Sequence, residues 1–395
     1  MRFPEFSGEW EESTIGKEFE LYSGNTPSRL DKENFVGDIN WITSGELKEH
    51  YIGDTKEKIS ESSAKENNLK LMPEGTFVIA IYGLEAEGVR STGSITTKRS
   101  TISQACMAFT PKGDISNEFL YSWYMKHGNV IGLRYAQGTK QQNLSYDIIE
   151  KFKLHYPHPI EQNKITSFIA LLDKRISTQN KIIEDLKTLR LATNDYLQKH
   201  LEPAFNLSFA ELGTDFGGLS GKSANDFGTG YPYITYMGVY SKNFVTEADC
   251  SLVTILPNET QSKVQKGDVL FTLSSETPEE VCYGSVYVGN VKEVYLNSFC
   301  FGVHITNSNV YSPYLAYFVN STLFRKAVFP LAQGSTRFNL QKSDFLKKKF
   351  AFPSKEKQIE IYNTLQALDN KLQIEIALLD KYRVQKQYFL QQMFI

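Results

Sequence analysis

The stretch Gly217-Gly218-Leu219-Ser220-Gly221-Lys222-Ser223 comes nearer than any other in this chain to a phosphate-binding loop. Such a loop cradles phosphates with backbone N–H groups and needs four residues between its first glycine and the Gly-Lys pair. Gly217 leaves three and Phe216 fills the required place, so the segment reads as a Gly/Ser turn. Asp38 with Glu46-Leu47-Lys48 is distantly similar to a nuclease metal site, but an acid near Glu-x-Lys is common by chance and has no counterpart later in the chain. The six histidines are scattered without ligand spacing, so no metal site is expected. Cys106, Cys250, Cys282 and Cys300 form no C-x-x-C pair and read as buried thiols in a reducing compartment. No G-x-G-x-x-G follows a strand. These segments supply no catalytic constellation.

The bulk numbers agree with a soluble globular protein. A length of 395 residues suggests two or three domains, and 41% hydrophobic with 22% charged residues is ordinary for a globular chain. No apolar run reaches the ~18 residues of a membrane span. The start, Met1-Arg2-Phe3-Pro4-Glu5, lacks the apolar core of a signal peptide, so the cytoplasm is expected. A net charge of −2 argues against a freestanding, strongly electrostatic nucleic-acid binder. It leaves room for local basic strips on a subunit whose partners supply much of the phosphate contact.

The elements that would position any site are written twice. Ala136-Gln137-Gly138-Thr139 through Asn143-Leu144 is echoed by Ala332-Gln333-Gly334-Ser335 through Asn339-Leu340 at an offset of 196. The same offset carries Tyr156-Pro157 onto Phe352-Pro353 and Leu172-Asp173-Lys174 onto Leu368-Asp369-Asn370. Earlier in each half, Trp41-Ile42-Thr43 matches Tyr233-Ile234-Thr235 and Gly75 matches Gly267 at 192, while Cys106 matches Cys300 at 194. Small insertions make an offset drift one way, so the chain reads as a tandem duplication.

Within each copy the spacing predicts a β-run, Phe77–Ile81 or Val269–Leu273, followed by a helix over Asn117–Gly128 or Pro313–Lys326. Each copy ends on a more regular segment. Ile165, Ile169, Leu172, Ile176, Ile183 and Leu186 recur at spacings of mostly three and four; so do Ile361, Leu365, Leu368, Leu372, Ile376, Leu379 and Tyr382. That is the rhythm of helices packed along their length on another helix. Helices of about 40 residues would each be ~60 Å long, and matching stripes at the ends of two repeats should pair antiparallel. The expected fold is α+β: two similar domains in tandem with a long antiparallel two-helix coiled coil between them, pseudo-two-fold. The expected boundaries are 1–156, 157–202 (central helix), 203–352 and 353–395 (distal helix).

This layout resembles the specificity subunits of type I restriction-modification enzymes over the whole chain. The resemblance is carried by the opening Arg2–Trp10, the Gly24-Asn25-Thr26-Pro27-Ser28 turn, and the block Ala136–Leu144, Pro157, Glu161-Gln162, Leu172-Asp173-Lys174. The second copy departs from it: Lys357 interrupts the Glu-Gln pair between Glu356 and Gln358, and Asn370 replaces the lysine. The resemblance implies a non-catalytic subunit whose two target recognition domains each read one half of a bipartite double-stranded DNA site. The helices would act as spacer and docking site. Implied partners are two adenine-methylating modification subunits and restriction/translocase subunits. S-adenosylmethionine, ATP and Mg would be held by those partners and no cofactor by this chain. In keeping with this, no Pro-Pro dipeptide, which an N6-adenine methyltransferase needs to hold a flipped adenine, occurs anywhere. Two other readings are a coiled-coil interaction scaffold and a divergent stand-alone DNA methyltransferase or nuclease.

Base reading needs paired donors or acceptors on loops that reach a groove, and backbone positioning needs Arg and Lys. In the first copy the candidates are Arg90, Lys98, Arg99 and Ser100, with Lys140, Gln141, Gln142 and Asn143 after Gly138. In the second they are Lys222 and Ser223, then Thr272, Ser274 and Ser275 after the matching strand, then Arg337 and Asn339 after Gly334.

Overall fold

Each half of the chain builds the same five-stranded sheet. In the first, the strand order is Phe19–Ser23, Cys106–Pro111, Phe77–Ala80, Gly93–Thr96, Tyr51–Ile52. In the second it is Gly213–Gly217, Cys300–Ile305, Val269–Thr272, Gly284–Tyr287, Phe244–Val245. The last strand pairs parallel in both copies and the others antiparallel. A three-stranded sheet also recurs, with Ile39–Ile42 between Lys58–Ile59 and Ser100–Ile102, and Phe227–Ile234 between Cys250–Val253 and Tyr295–Leu296. The duplication read in the sequence is therefore a duplication of topology.

The computed structural model describes residues 1–84, 89–138 and 140–394; Thr139 of the repeated motif and Ile395 lie outside them. Contacts divide the chain into one unit of Met1–Lys181 with Ala377–Ile395 and a second of Ile182–Ile376. The first long helix runs Pro159–Lys199 and the second Lys355–Met393, so each contributes a segment to both units.

Packing explains the elements. Phe77–Ala80 and Val269–Thr272 are buried along their whole length, as expected of central strands covered on both faces. The first core gathers Phe19, Phe77, Phe109, Phe119 and Trp123; the second gathers Phe209, Phe271, Phe301, Phe324, Phe345 and Phe350. Each buried aromatic removes enough apolar surface to contribute roughly 1.5–3 kcal/mol.

Two helices differ from their expected form. The first runs Asn117–Tyr135, past the glycine taken as its end. Gly128 is interior because a Cβ there would lie 2.8 Å from the Ser91 side chain, so close approach and not termination explains it. The other breaks into Ser312–Phe318 and Thr322–Val328, because Ser321 leaves the helix and caps the second piece by accepting from Phe324 N at 3.2 Å.

Within each unit the two long-helix segments lie antiparallel. In the first, Phe168 meets Phe389 edge-on at 4.9 Å and the Arg175 guanidinium lies 4.9 Å over the Tyr382 ring. In the second, Arg190 reaches Asp369 at 3.1 Å. Buried Ile165, Ile169, Leu172 and Ile183 on one helix and Ile361, Leu365, Leu372 and Leu379 on the other form the expected apolar stripe. Among the described residues, no helix is long and apolar enough to cross a membrane. All four cysteines are free, and burial pushes their thiols up, Cys106 to about 12 and Cys250 to about 11.

Candidate nucleic-acid interface

The repeated Ala-Gln-Gly motif folds into a tight reversal at one end of each sheet. In the first unit Gln137 and Asn143 exchange backbone hydrogen bonds of 2.9 Å, and Asn143 also pairs with Tyr82 just beyond the central strand. In the second, Gln333 pairs with Asn339, and Asn339 with Ser274. Gly138 and Gly334 have φ of +122° and +152°, where L side chains are strained. A Cβ would also sit 1.9 Å from the Gln141 carbonyl and 2.0 Å from that of Arg337. Glycine is thus required twice, and the reversal leaves Lys140 and Gln141 exposed in one copy and Thr336 and Arg337 in the other.

The structure sorts the first unit's candidates into two groups. Lys140 and Gln141 are exposed, Gln142 and Asn143 half-buried, and Arg90 lies at the same end, its stem against Gly132. The Arg90 Nε and Asn143 Oδ1 atoms are buried with no hydrogen-bond partner among the described residues. Lys98 and Arg99 follow Gly93–Thr96, which runs antiparallel to Phe77–Ala80, so they stand at the opposite end of the sheet. There Lys98 pairs with Asp54 at 3.0 Å and Arg99 with Glu61 at 3.5 Å. Ser100 is a buried strand residue whose Oγ donates to the Lys98 carbonyl at 2.9 Å.

In the second unit Ser274, Ser275, Arg337 and Asn339 come together at the reversal. Three other candidates are already engaged. The Lys222 side chain is 3% exposed and ion-paired with Glu259, Ser223 caps the turn at Ala224–Asp226, and Thr272 is fully buried, its Oγ1 accepting from Tyr283 N at 3.0 Å. The phosphate-loop look of 217–223 is that of a turn, as read: Gly218 N donates to the Cys300 carbonyl at 3.1 Å, and Gly24 N to that of Cys106 at 3.4 Å in the other copy. Glu46 of the Glu-x-Lys motif is spent on capping, accepting from Thr43 N at 2.9 Å and Lys56 N at 2.8 Å.

Sequence reasoning missed the aromatic surround of the second reversal. Tyr236, Met237, Tyr240 and Phe299 line a cleft of about 310 Å³ with Ser274, Ser275 and Arg337. Composition places such side chains in cores and loops alike, without saying which. Only the fold reveals that Met237 and Phe299 stay exposed.

A charged cluster joins the first unit's sheet domain to its helices. His50 is stacked between Tyr51 and Tyr121 at 4.1 and 4.0 Å, and its Nε2 lies 2.9 Å from Glu118. Its Nδ1 lies 3.2 Å from Asp173, an ionic approach whose angle is too poor for a hydrogen bond. Burial lowers the His50 pKa, but Asp173 and Glu118 together outweigh it and the net shift is upward. A group whose pKa rises on folding stabilises fully below its unfolded value and loses that contribution as pH climbs through the folded one. Thermal unfolding of wild type and His50→Gln, compared from about pH 5 to about pH 8, should therefore show the wild-type advantage shrinking as pH rises. Parallel curves would contradict the linkage.

A family model for the type I restriction modification DNA specificity domain matches residues 7–188 and again 211–381. The specificity subunit of the type I restriction enzyme MjaIX from Methanocaldococcus jannaschii is 28% identical over 208 residues, 51% of this chain and 46% of that protein. The chain thus spans about half the length of that curated relative. A type I restriction-modification S subunit from M. genitalium superposes with a TM-score of 0.53 at 15% identity, covering 100% of this chain and 99% of that one. A chain from a structure on complex assembly and conformational transition of the type I R-M system gives 0.63 at 13%, covering 98% and 97%. At such identities the likeness is one of fold.

Proposed function

Since the chain belongs to the type I restriction-modification DNA specificity family, we propose that it is the non-catalytic subunit that tells a methylating and cleaving complex where to act. Each unit reads one half of a bipartite double-stranded site. Two adenine-methylating modification subunits dock on the helices and carry S-adenosylmethionine, while restriction/translocase subunits carry ATP and Mg. The observation that supports this best is the duplicated reversal at the sheet end. Its backbone is dictated by Gly138 and Gly334, yet its exposed side chains differ: Lys140 and Gln141 in one copy, Thr336 and Arg337 in the other. Equal frames with unequal polar tips suit two readers of unlike half-sites, because base identity is read by specific donor and acceptor pairs.

The long helices would set the gap between half-sites. Inserting one turn (about 3.6 residues) into both, then mapping methylated adenines in DNA from cells carrying the modification subunits, should leave the half-sites intact and change the spacer. An unchanged gap would rule the ruler out. Methyl transfer by this chain alone, given S-adenosylmethionine and DNA, would favour the enzyme reading instead.

A further inference from the structure

We propose that the cleft between the Gln333–Asn339 reversal and the short helix Tyr236–Ser241 is a base-pair pocket that reads a guanine in the second unit's half-site, with Arg337 as reader and Phe299 as its support. This rests on the DNA-specificity reading above and adds the base and the residues.

Arg337 is exposed and makes no ion pair among the described residues. Its guanidinium instead lies over the Phe299 ring, 4.9 Å from the centroid. Other arginines of this unit are committed, Arg190 to Asp369 and Arg325 to the carbonyls of Glu279, Val281 and Cys282. An aromatic support fixes the guanidinium plane and leaves its outward N–H donors open, which is the state required for bidentate donation. Arginine paired with guanine O6 and N7 is the commonest specific contact in the major groove.

The cleft's remaining charge argues for a base edge over a phosphate. Glu276 and Glu280 line it. Glu280 is held in place, accepting from Tyr240 Oη at 2.8 Å and Ser275 Oγ at 2.7 Å. A phosphate seat with two carboxylates on its walls would repel its ligand. A G·C pair offers acceptors on guanine and an amino donor on cytosine, which a guanidinium beside a carboxylate can satisfy together. Exposed Phe299 and Met237, 49% and 58% accessible, supply apolar flanks at the mouth.

The first unit lacks this equipment at the same place. Its counterparts by repeat offset are Gln141 for Arg337 (196), Ala105 for Phe299 (194) and Gly45 for Met237 (192). The guanine-reading device therefore belongs to one half-site only.

The test selects a random-sequence duplex library with the chain bound to its modification subunits. Wild type should enrich a bipartite motif with an invariant G·C pair in one half. Arg337→Ala should relax that pair by about 10- to 100-fold and leave the other half unchanged. Phe299→Ala should relax the same pair by less, and Arg337→Lys should not fully restore it. Both sites are solvent-exposed, and an unchanged melting temperature for each variant confirms folding. A bipartite motif that survives Arg337→Ala intact overturns the pocket but not the DNA reading. So does a uniform loss across all sequences with shallower salt dependence, which marks a phosphate contact. A wild-type complex that enriches no motif overturns both.

Discussion

Gln358→Leu is expected to destabilise the second unit by roughly 2–4 kcal/mol, read from the denaturant midpoint of the full chain. Gln358 is fully buried at the head of the second long helix. Its Oε1 accepts from Tyr311 N at 2.8 Å, and its Nε2 donates to the Asn309 and Pro353 carbonyls at 3.0 and 2.9 Å. Gln162, also buried, does the same in the first unit: Ser116 N donates to it at 3.1 Å, and it donates to Asp114 and Pro157 at 3.3 and 2.9 Å. One amide thus ties each sheet domain to the helix that follows it. Leucine fits the volume but takes the partner from the Tyr311 N–H and the Asn309 carbonyl, both part-buried, and from the buried Pro353 carbonyl, which costs more than forming the bonds contributes. Hydrogen-exchange protection should fall around Asn309–Tyr311 and leave Asp114–Ser116 untouched. Gln162→Leu should reverse that pattern. A midpoint unchanged by either substitution would show that the amide clamp is dispensable.

That clamp also shows where sequence reading stopped. Lys357 between Glu356 and Gln358 made the second copy look degenerate, yet Gln162 and Gln358 stand at the repeat offset of 196 and make matching bonds. What diverged was the residue before it: Glu161 pairs with Arg2 at 2.6 Å, and the second copy has Lys357 there. The duplication, the long helices and the glycine reversals were legible because each repeats a spacing that backbone geometry enforces. Individual site side chains were not. Ser100 and Thr272 look like polar loop residues but lie on strands covered on both faces, where hydroxyls bond inward. Lys222 sits beside glycines that suggest an open turn, yet Glu259, 37 residues on, draws it inside. Conversely, Phe299 and Met237 carry no sign in the sequence that they remain at the surface. Such facts depend on contacts distant along the chain, which periodicity does not encode.

Asp173→Ala is expected to cost the first unit about 2–3 kcal/mol, below the full value for removing one partner of a deeply buried pair because this one keeps some solvent contact. Asp173 and Lys386 pair across the two helices with 19% and 16% of their side chains accessible, and His50 approaches the same carboxylate. The second unit repeats the arrangement with the helices exchanged. Asp369 corresponds to Asp173 and Arg190 to Lys386, both at 196, and they meet at 3.1 Å while Tyr317 Oη donates to Asp369 at 2.6 Å. The pairs share no partner, so losses from Asp173→Ala and Asp369→Ala should add. Deleting both charges is a different case. Asp173→Leu with Lys386→Met removes the desolvation of two ions as well as their attraction, and should cost clearly less than Asp173→Ala, the remainder being the approach that His50 loses. A steep single and a shallow double would identify the ion pair as a device that fixes helix register, since an ammonium opposite the wrong position is left without its partner. A single substitution that leaves the unfolding curve where it was would remove that role. The lowered pKa of Asp173, which burial opposes but His50 and Lys386 enforce, gives an independent check. The stability that Asp173 confers is present above the ordinary carboxylate range and should fade as pH falls through its depressed value, in wild type and not in Asp173→Ala.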